Sequence, residues 1–139
     1  MAYKIVTRIL YRNVFSPQNS TRRSLSTSKV VRETFSIQDE EDFKAKVIES
    51  PVPVIVDFSA TWCGPCKILG PRLDAAVAST NSKVNLAIVD IDENSDLAMD
   101  HEVQAVPTVI AFKDGKPVDK FIGLLDEDKL GSFVSRLHE

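Results

Sequence analysis

The chain has 139 residues, a formal net charge of −3, two cysteines and two histidines, and 43% of its residues are hydrophobic. This length predicts one domain with a substantial core, and no apolar run approaches the ~20 residues of a membrane-spanning helix. Two cysteines also exclude the disulfide-rich scaffold of small secreted proteins.

The charge is divided unevenly along the chain. Residues 1–32 contain seven Lys or Arg and no acid, whereas residues 33–139 contain all 20 acids and 10 bases, a net charge of −10. Lys4, Arg8 and Arg12 recur every four residues, so a helix would place them opposite an apolar side. An acid-poor segment rich in Arg and Ser is typical of a mitochondrial transit peptide. We predict a cleaved transit peptide over 1–32 and a mitochondrial matrix location, with a plastid address or a retained basic arm as alternatives.

The remaining segment, residues 33–139, shows alternating strand and helix patterns with no internal repeat. Their order is β-α-β-α-β-α-β-β-α, which predicts an α/β domain with a mixed central sheet and helices on both faces. Asp114-Gly115 joins the last two strands and is a favoured hairpin turn. The predicted strands are Thr34–Ile37, Val52–Phe58, Val84–Ile91, Thr108–Lys113 and Lys116–Ile122, and the predicted helices are Gln38–Glu49, Cys63–Ala78, Ser95–Glu102 (capped by Asn94) and Glu127–Leu137.

Both cysteines lie in the hexapeptide Trp62–Lys67, where a buried strand turns into a helix. The unpaired N–H groups at a helix start favour an anion, so a thiolate placed there is a good nucleophile. A C-x-x-C pair in a βαβ context predicts a redox site. The alternatives are half of a zinc or iron–sulfur site, which needs four ligands, and a pair of inert buried thiols. His101 and His138 are predicted to be solvated surface residues.

Asp57 is a second candidate for a chemical role. It is the only ionisable residue in the apolar run 51–58, which should form a buried strand. Burial disfavours a carboxylate and predicts a raised pKa. The alternative is an Asp at the end of a strand that caps a turn.

The hexapeptide, the preceding Val-Asp-Phe-Ser-Ala-Thr, the later Val-Pro-Thr and a Gly after the last strand together resemble the thioredoxin family, in particular its mitochondrial members. The resemblance covers residues 33–139. It implies a thioredoxin-like fold and a general protein-disulfide reductase. It also implies that Cys63 is an exposed attacking nucleophile, that Cys66 is a deeper resolving cysteine forming the redox disulfide with Cys63, and that Asp57 transfers a proton to or from Cys66.

The resemblance extends to substrate binding and to partners. It implies a cis Val106–Pro107 peptide facing Cys63, and a substrate held as an added strand on the backbone of Val106 and Thr108. It implies recharging by an NADPH-dependent thioredoxin reductase and clients that include peroxiredoxins. No cofactor, metal, nucleic acid or membrane anchor is expected, and a monomer is expected. The implied apolar docking surface consists of Trp62, Gly64, Pro65, Val106 and Gly123.

Two positions depart from the family pattern. Ser59 stands where an aromatic residue is usual, which leaves Trp62 as the only Trp. Ile88 stands where many members place a Lys beside the buried Asp, so the proton-transfer role of Asp57 is less securely implied. The remaining alternatives are a disulfide isomerase or oxidase, disfavoured by the Gly-Pro insert between the cysteines, and a redox-inert binding module.

Overall fold

The computed structural model describes residues 33–139, so the predicted transit peptide lies outside the described residues. The order of elements along the chain is the predicted one. No helix in residues 33–139 is long and apolar enough to cross a membrane. The strands are β1 (Thr34–Ser36), β2 (Val54–Ser59), β3 (Asn85–Asp90), β4 (Thr108–Lys113) and β5 (Lys116–Ile122), and the helices are α1 (Glu40–Phe43, continued by a π-helical turn at Lys44–Ile48), α2 (Gly64–Ala78), α3 (Ser95–Asp100) and α4 (Glu127–Ser135).

The five strands form one mixed sheet in the order β1-β3-β2-β4-β5. β1 and β2 both pair with β3 in parallel, whereas β4 pairs antiparallel with both β2 and β5. Parallel neighbours require crossover connections, which α1 and α2 supply, and the antiparallel pair requires only a tight turn. The mixed α/β sheet predicted from the sequence is therefore confirmed.

The sheet separates two apolar cores because successive side chains of a strand point to opposite faces. Val56 and Phe58 of β2 pack on the side of α1 and α3 with Phe112 of β4. Ile55 of β2 packs on the other side, against α2 and α4. The buried residues of α2 recur at helical spacing: Leu69, Leu73 and Val77 pack in this second core, and Cys66 begins the same stripe in a small cluster with Ala60 and Cys63.

The hairpin between β4 and β5 depends on backbone freedom at its turn. Asp114 and Gly115 both have positive φ, 53° and 75°. This is the type I′ geometry expected of an Asp-Gly pair. A Cβ on Gly115 would lie 2.7 Å from the backbone oxygen of Ile48, so the close approach of the hairpin to the π-helical turn also requires glycine.

The first helix differs from the prediction. The helix begins at Glu40 instead of Gln38, because the side chain of Asp39 accepts a hydrogen bond from the backbone N–H of Asp42. Its second half is a π-helical turn in which the N–H of Glu49 bonds the Lys44 carbonyl. Over two turns, apolar spacing does not distinguish this wider turn from an α-helix.

Two polar residues differ from what the sequence predicts. Asn94 is the N-cap residue of α3, as predicted, but its side chain makes no capping bond; its amide donates to the carbonyls of Ile37 and Asp90 instead. The prediction of a solvated His101 is wrong. His101 is half-buried, because its ring packs against Phe43, Phe58 and Phe112. The polar sequence around His101 does not indicate these aromatic neighbours, because they come from distant parts of the chain.

Candidate active site

The two cysteines form a disulfide where β2 gives way to α2. Cys63 is the residue that caps the helix, and its Sγ accepts a hydrogen bond of 3.2 Å from the backbone N–H of Cys66. Gly64 and Pro65 form the first turn, where a missing proline N–H costs nothing. In the reduced form, the same N–H group and the helix dipole would stabilise a thiolate on Cys63.

The expected difference in depth between the cysteines is not found in this disulfide form. The exposed fraction is 4% for Cys63 and 7% for Cys66, so both residues are buried. The bond holds the two sulfurs together, and Ala60, Ile91 and Val106 pack against the pair. The prediction of an exposed Cys63 is therefore wrong for the oxidised chain.

Asp57 is buried as predicted, with 3% of its surface exposed. Its Oδ1 is fully buried and has no hydrogen-bond partner. Burial of the carboxyl raises its pKa from 3.8 to about 7. A carboxyl that titrates near neutral pH can both take and release a proton under physiological conditions.

Asp57 lies on the α2 side of the sheet because it is two residues beyond Ile55, which packs in that core. Cys66 begins the buried stripe of α2 that covers the same face. The direct neighbours of Asp57 in the sheet are Ile88 of β3 and Val109 of β4. Ile88 thus occupies the position opposite Asp57, and neither neighbouring strand supplies a cation at this level.

The loop before β4 brings a second segment to the disulfide. The Val106–Pro107 peptide is cis, and Val106 packs against the cysteines. Within residues 33–139, the N–H and C=O of Val106 have no hydrogen-bond partner, so its backbone is available to an extended peptide. Gly123 closes the loop by donating its N–H to the Pro107 carbonyl at 2.9 Å.

Thr108 is placed differently from its predicted role. It is fully buried and lies between Phe58 of β2 and Ile122 of β5. Its hydroxyl donates to the Ala105 carbonyl at 2.6 Å. A residue between two paired strands has no free backbone edge for an added strand. Of the two residues predicted to pair with a substrate backbone, only Val106 is well placed to do so.

An exposed apolar surface surrounds the disulfide. Trp62 is 67% exposed, and its indole N–H donates to Oδ2 of Asp92 at 2.9 Å, which fixes the ring beside the cysteines. Gly64 and Pro65 are also exposed. Ile122 and Leu124 flank Gly123 and are 60% and 43% exposed, and the sequence prediction did not include them. The sequence could have indicated them, because they lie on either side of Gly123, a residue of the predicted docking surface.

Metal binding by the cysteines is not supported by their surroundings. Among residues 33–139, no group of three or more His, Cys, Asp or Glu side chains is placed to hold a metal ion. His101, a possible third ligand by type, is held among aromatic rings on the opposite face of the sheet. Burial lowers its pKa.

Comparison with known proteins gives a consistent result. The family model described as Thioredoxin matches residues 34–136. The chain is 55% identical to mitochondrial thioredoxin of Bos taurus over 118 residues, which cover 85% of this chain and 71% of that protein. It is 46% identical to probable thioredoxin-2 of Caenorhabditis elegans, with 83% and 85% covered. The solved structure of Malassezia sympodialis thioredoxin superposes with a TM-score of 0.71 at 33% identity, covering 78% of this chain and 94% of that one.

Proposed function

Because this chain belongs to the thioredoxin family and reduces disulfides by dithiol–disulfide exchange, we propose that it serves as the general protein-disulfide reductase of mitochondria. Its fold is thioredoxin-like. The observation that carries the assignment of its catalytic residues is the Cys63–Cys66 disulfide at the start of α2, the helix that covers the sheet face of the buried Asp57.

The reaction runs in two exchanges. The Cys63 thiolate attacks one sulfur of a client disulfide, forms a mixed disulfide and releases the other client sulfur as a thiolate. The Cys66 thiolate then attacks the Cys63 sulfur, which forms the Cys63–Cys66 disulfide and releases the second client sulfur as a thiolate that takes up a proton from water. Two electrons pass to the client, and the structure corresponds to the oxidised product.

Asp57 is the group we assign to the proton of Cys66. Cys66 must lose this proton before the second exchange, and Asp57 lies on the sheet face that the buried stripe of α2 covers. A base is most useful when its pKa is near the working pH, and the pKa of Asp57 is about 7. Transfer through one water molecule satisfies this role without direct contact.

The apolar surface around the disulfide is the proposed client site. Trp62, Pro65 and Gly123 supply apolar or flat area, and the free backbone of Val106 pairs with an extended client segment. Gly64 leaves room for close approach, since nothing lies within 4 Å of a Cβ built there. Ile122 joins this surface in the proposal, whereas Thr108 supports it from inside the sheet.

Reduction of insulin tests the enzymatic role. The full chain, with dithiothreitol as electron source, should reduce insulin disulfides and precipitate the freed B chain. A redox-inert binding module would retain both thiols and fail to accelerate precipitation, and that outcome would overturn the assignment. The matched control is Cys63→Ser, which removes the nucleophile.

The partners follow from the same chemistry. We assign recharging to an NADPH-dependent thioredoxin reductase and include peroxiredoxins among the clients. In Cys66→Ser the second exchange cannot occur, so clients should remain covalently bound to Cys63 and be identified by mass spectrometry. Recovery of peroxiredoxins and reductase in the trapped fraction supports these partners, and their absence counts against them.

The mitochondrial location rests on the relatives and on the composition of residues 1–32. A fluorescent protein fused to residues 1–32 should enter mitochondria, and replacing Arg8, Arg12, Arg22 and Arg23 by Glu should prevent import. Sequencing the organellar amino terminus tests cleavage before Glu33. Import into plastids, or an intact Met1 form in the organelle, would contradict the proposal.

A further inference from the structure

A small polar cleft opens at the carboxyl ends of β2 and β3, and its wall includes Ile88, the sheet neighbour of Asp57. Its volume is about 270 Å³. Ser59 and Ile88 form the part of its wall nearest to Asp57, since Ile88 is the sheet neighbour of Asp57 and Ser59 follows it by two residues. Other wall residues are Ser36, Asp90 and Glu93.

Ser59 lies on the same face of β2 as Asp57, because alternate residues of a strand share a face. Ser59 is partly exposed, whereas Asp57 is 97% buried and its Oδ1 has no partner. In register, Ser59 lies opposite Asp90, and Asp57 lies opposite Ile88. Along this face of β2, Ser59 therefore lies between Asp57 and the open cleft that it lines.

The other directions around Asp57 are closed by apolar groups. Ile55 precedes it on the same face and is fully buried, and Val109 covers the side towards β4. Leu69 is fully buried on α2 just after Cys66. Towards the end of β2, in contrast, the next residue on this face is the polar Ser59, which lines the cleft.

We propose that this cleft is the route by which the proton on Asp57 reaches solvent, and that Ser59 is the positioning residue that links the carboxyl to the water in the cleft. The inference rests on the proposed role of Asp57 as the base for Cys66. In each turnover, one proton moves from Cys66 to Asp57. The Ser59 hydroxyl then orients the water that receives this proton, and Asp57 returns to its charged form.

The charged and titratable groups near this route are few in the described part of the chain. Cys66 belongs to the buried stripe of α2 that covers this face, whereas the sheet neighbours Ile88 and Val109 do not titrate. Asp90 and Glu93 are the acidic residues of the cleft wall. A missing cation at position 88 makes the water route more important, because no ammonium group holds Asp57 in its charged form.

The test compares full-length variants that differ by one hydroxyl. Ser59→Ala removes the hydroxyl next to Asp57, Ser59→Thr keeps it, and Ser36→Ala removes a hydroxyl of the same cleft that lies one strand further away, beyond Ile88. The measurement is the decay of the mixed disulfide with insulin in the turnovers after the first, with dithiothreitol as electron source, because Asp57 must release the proton of one turnover before it can take the next. Samples are acid-quenched and analysed by mass spectrometry at several pH values.

Ser59→Ala should slow this decay about tenfold. This is less than the roughly 100-fold or more that a general base itself contributes to a rate. The plateau of the pH profile should fall while its midpoint stays with Asp57, and added imidazole should restore the rate by carrying the proton. Ser59→Thr should behave like the wild type, as should Ser36→Ala. Equal rates in Ser59→Ala and wild type, or a loss that Ser59→Thr and imidazole do not restore, would overturn the proposal.

A second comparison separates this inference from the role of Asp57 itself. In an Asp57→Asn background, Ser59→Ala should cause no further loss, because Ser59 acts through the carboxyl. If Asp57→Asn alone leaves the decay unchanged, the assigned base is wrong. If Asp57→Asn slows the decay but Ser59→Ala does not, only the proton route is wrong.

Discussion

Asp57 and His101 are buried or half-buried ionisable residues on opposite faces of the same sheet. Asp57 points to the α2 side, where an oxygen is left without a partner, and His101 packs among Phe43, Phe58 and Phe112 on the α1 side. Burial favours the neutral form of both, so it raises the pKa of Asp57 and lowers that of His101. The same physical cause therefore shifts the pKa of a carboxyl upwards on one face and that of an imidazole downwards on the other.

The difference between the faces lies in what surrounds each group. Asp57 lies on the sheet face that α2 covers and pairs with Ile88 of the polar cleft, whereas the ring of His101 fills space between aromatic rings. Burial alone therefore does not identify a functional residue. If the comparison is correct, changes on the α2 face should alter the reaction, and changes on the α1 face should alter stability only.

The largest effect is expected at the nucleophile of the α2 face. Cys63→Ser should abolish insulin reduction, because no thiolate remains to attack. Cys66→Ser should perform only the first exchange and accumulate mixed disulfide, which intact-protein mass spectrometry would detect. Normal turnover by Cys66→Ala without an added thiol would show that the two roles are wrongly assigned.

Asp57→Asn should slow the second exchange and stabilise the fold at alkaline pH. The folded-state pKa of about 7 exceeds the ordinary 3.8, so stability falls as pH rises through this window, by up to about 4 kcal/mol above it. The gain of the variant should therefore be large at pH 8 and small at pH 4. Urea unfolding of the oxidised wild type and variant at these two pH values measures the difference in their free energies of unfolding. The same difference at pH 4 and at pH 8 would contradict the prediction.

Ile88→Lys should lower the pKa of Asp57, and this effect should be smaller than that of removing the carboxylate. An ammonium group opposite Asp57 favours the carboxylate and lowers its pKa, provided it reaches the oxygen. The carboxyl ¹³C shift of Asp57, followed against pH in wild type and variant, gives the two midpoints. Ile88→Met controls for the loss of packing by the branched side chain. Identical midpoints in Ile88→Lys and wild type would mean that the new ammonium does not reach Asp57.

His101→Phe should have the smallest effect, confined to stability at acid pH. Its pKa lies below the ordinary 6.5 chiefly because of burial, with Lys120 adding to the shift and Asp100 opposing it. The unfolded state therefore gains a proton first as pH falls, and the wild type loses stability below about pH 6.5. The variant should lack this loss and reduce insulin at the wild-type rate. A changed rate would place His101 in the reaction.

The sequence predicted most of the fold because local and non-local signals agreed. The apolar run over β2 and the Asp-Gly turn each allowed one interpretation, and both are confirmed. Asp57 was also predictable, since one charge inside an apolar strand is conspicuous. The cis peptide before Pro107 was available only from the family resemblance.

What the sequence did not predict depends on residues that are distant along the chain. His101 meets three rings that come from α1, β2 and β4. The equal burial of Cys63 and Cys66 results from packing by Ala60, Ile91 and Val106. The cleft beside Ser59 exists because β1, β2 and β3 end near one another, which no periodicity in a single strand can indicate.

The two edges of the sheet determine where foreign backbone can join the domain. β1 has three residues, and β5 carries Pro117 together with an irregular register that leaves Val118 unpaired. Short strands, proline and bulges at an edge discourage strand addition by other molecules, and so limit aggregation at high concentration. Within residues 33–139, this leaves the free backbone of Val106 as the favoured point of attachment for an extended chain. Recognition through main-chain groups requires little of a client's side chains, which suits a reductase that serves many sequences.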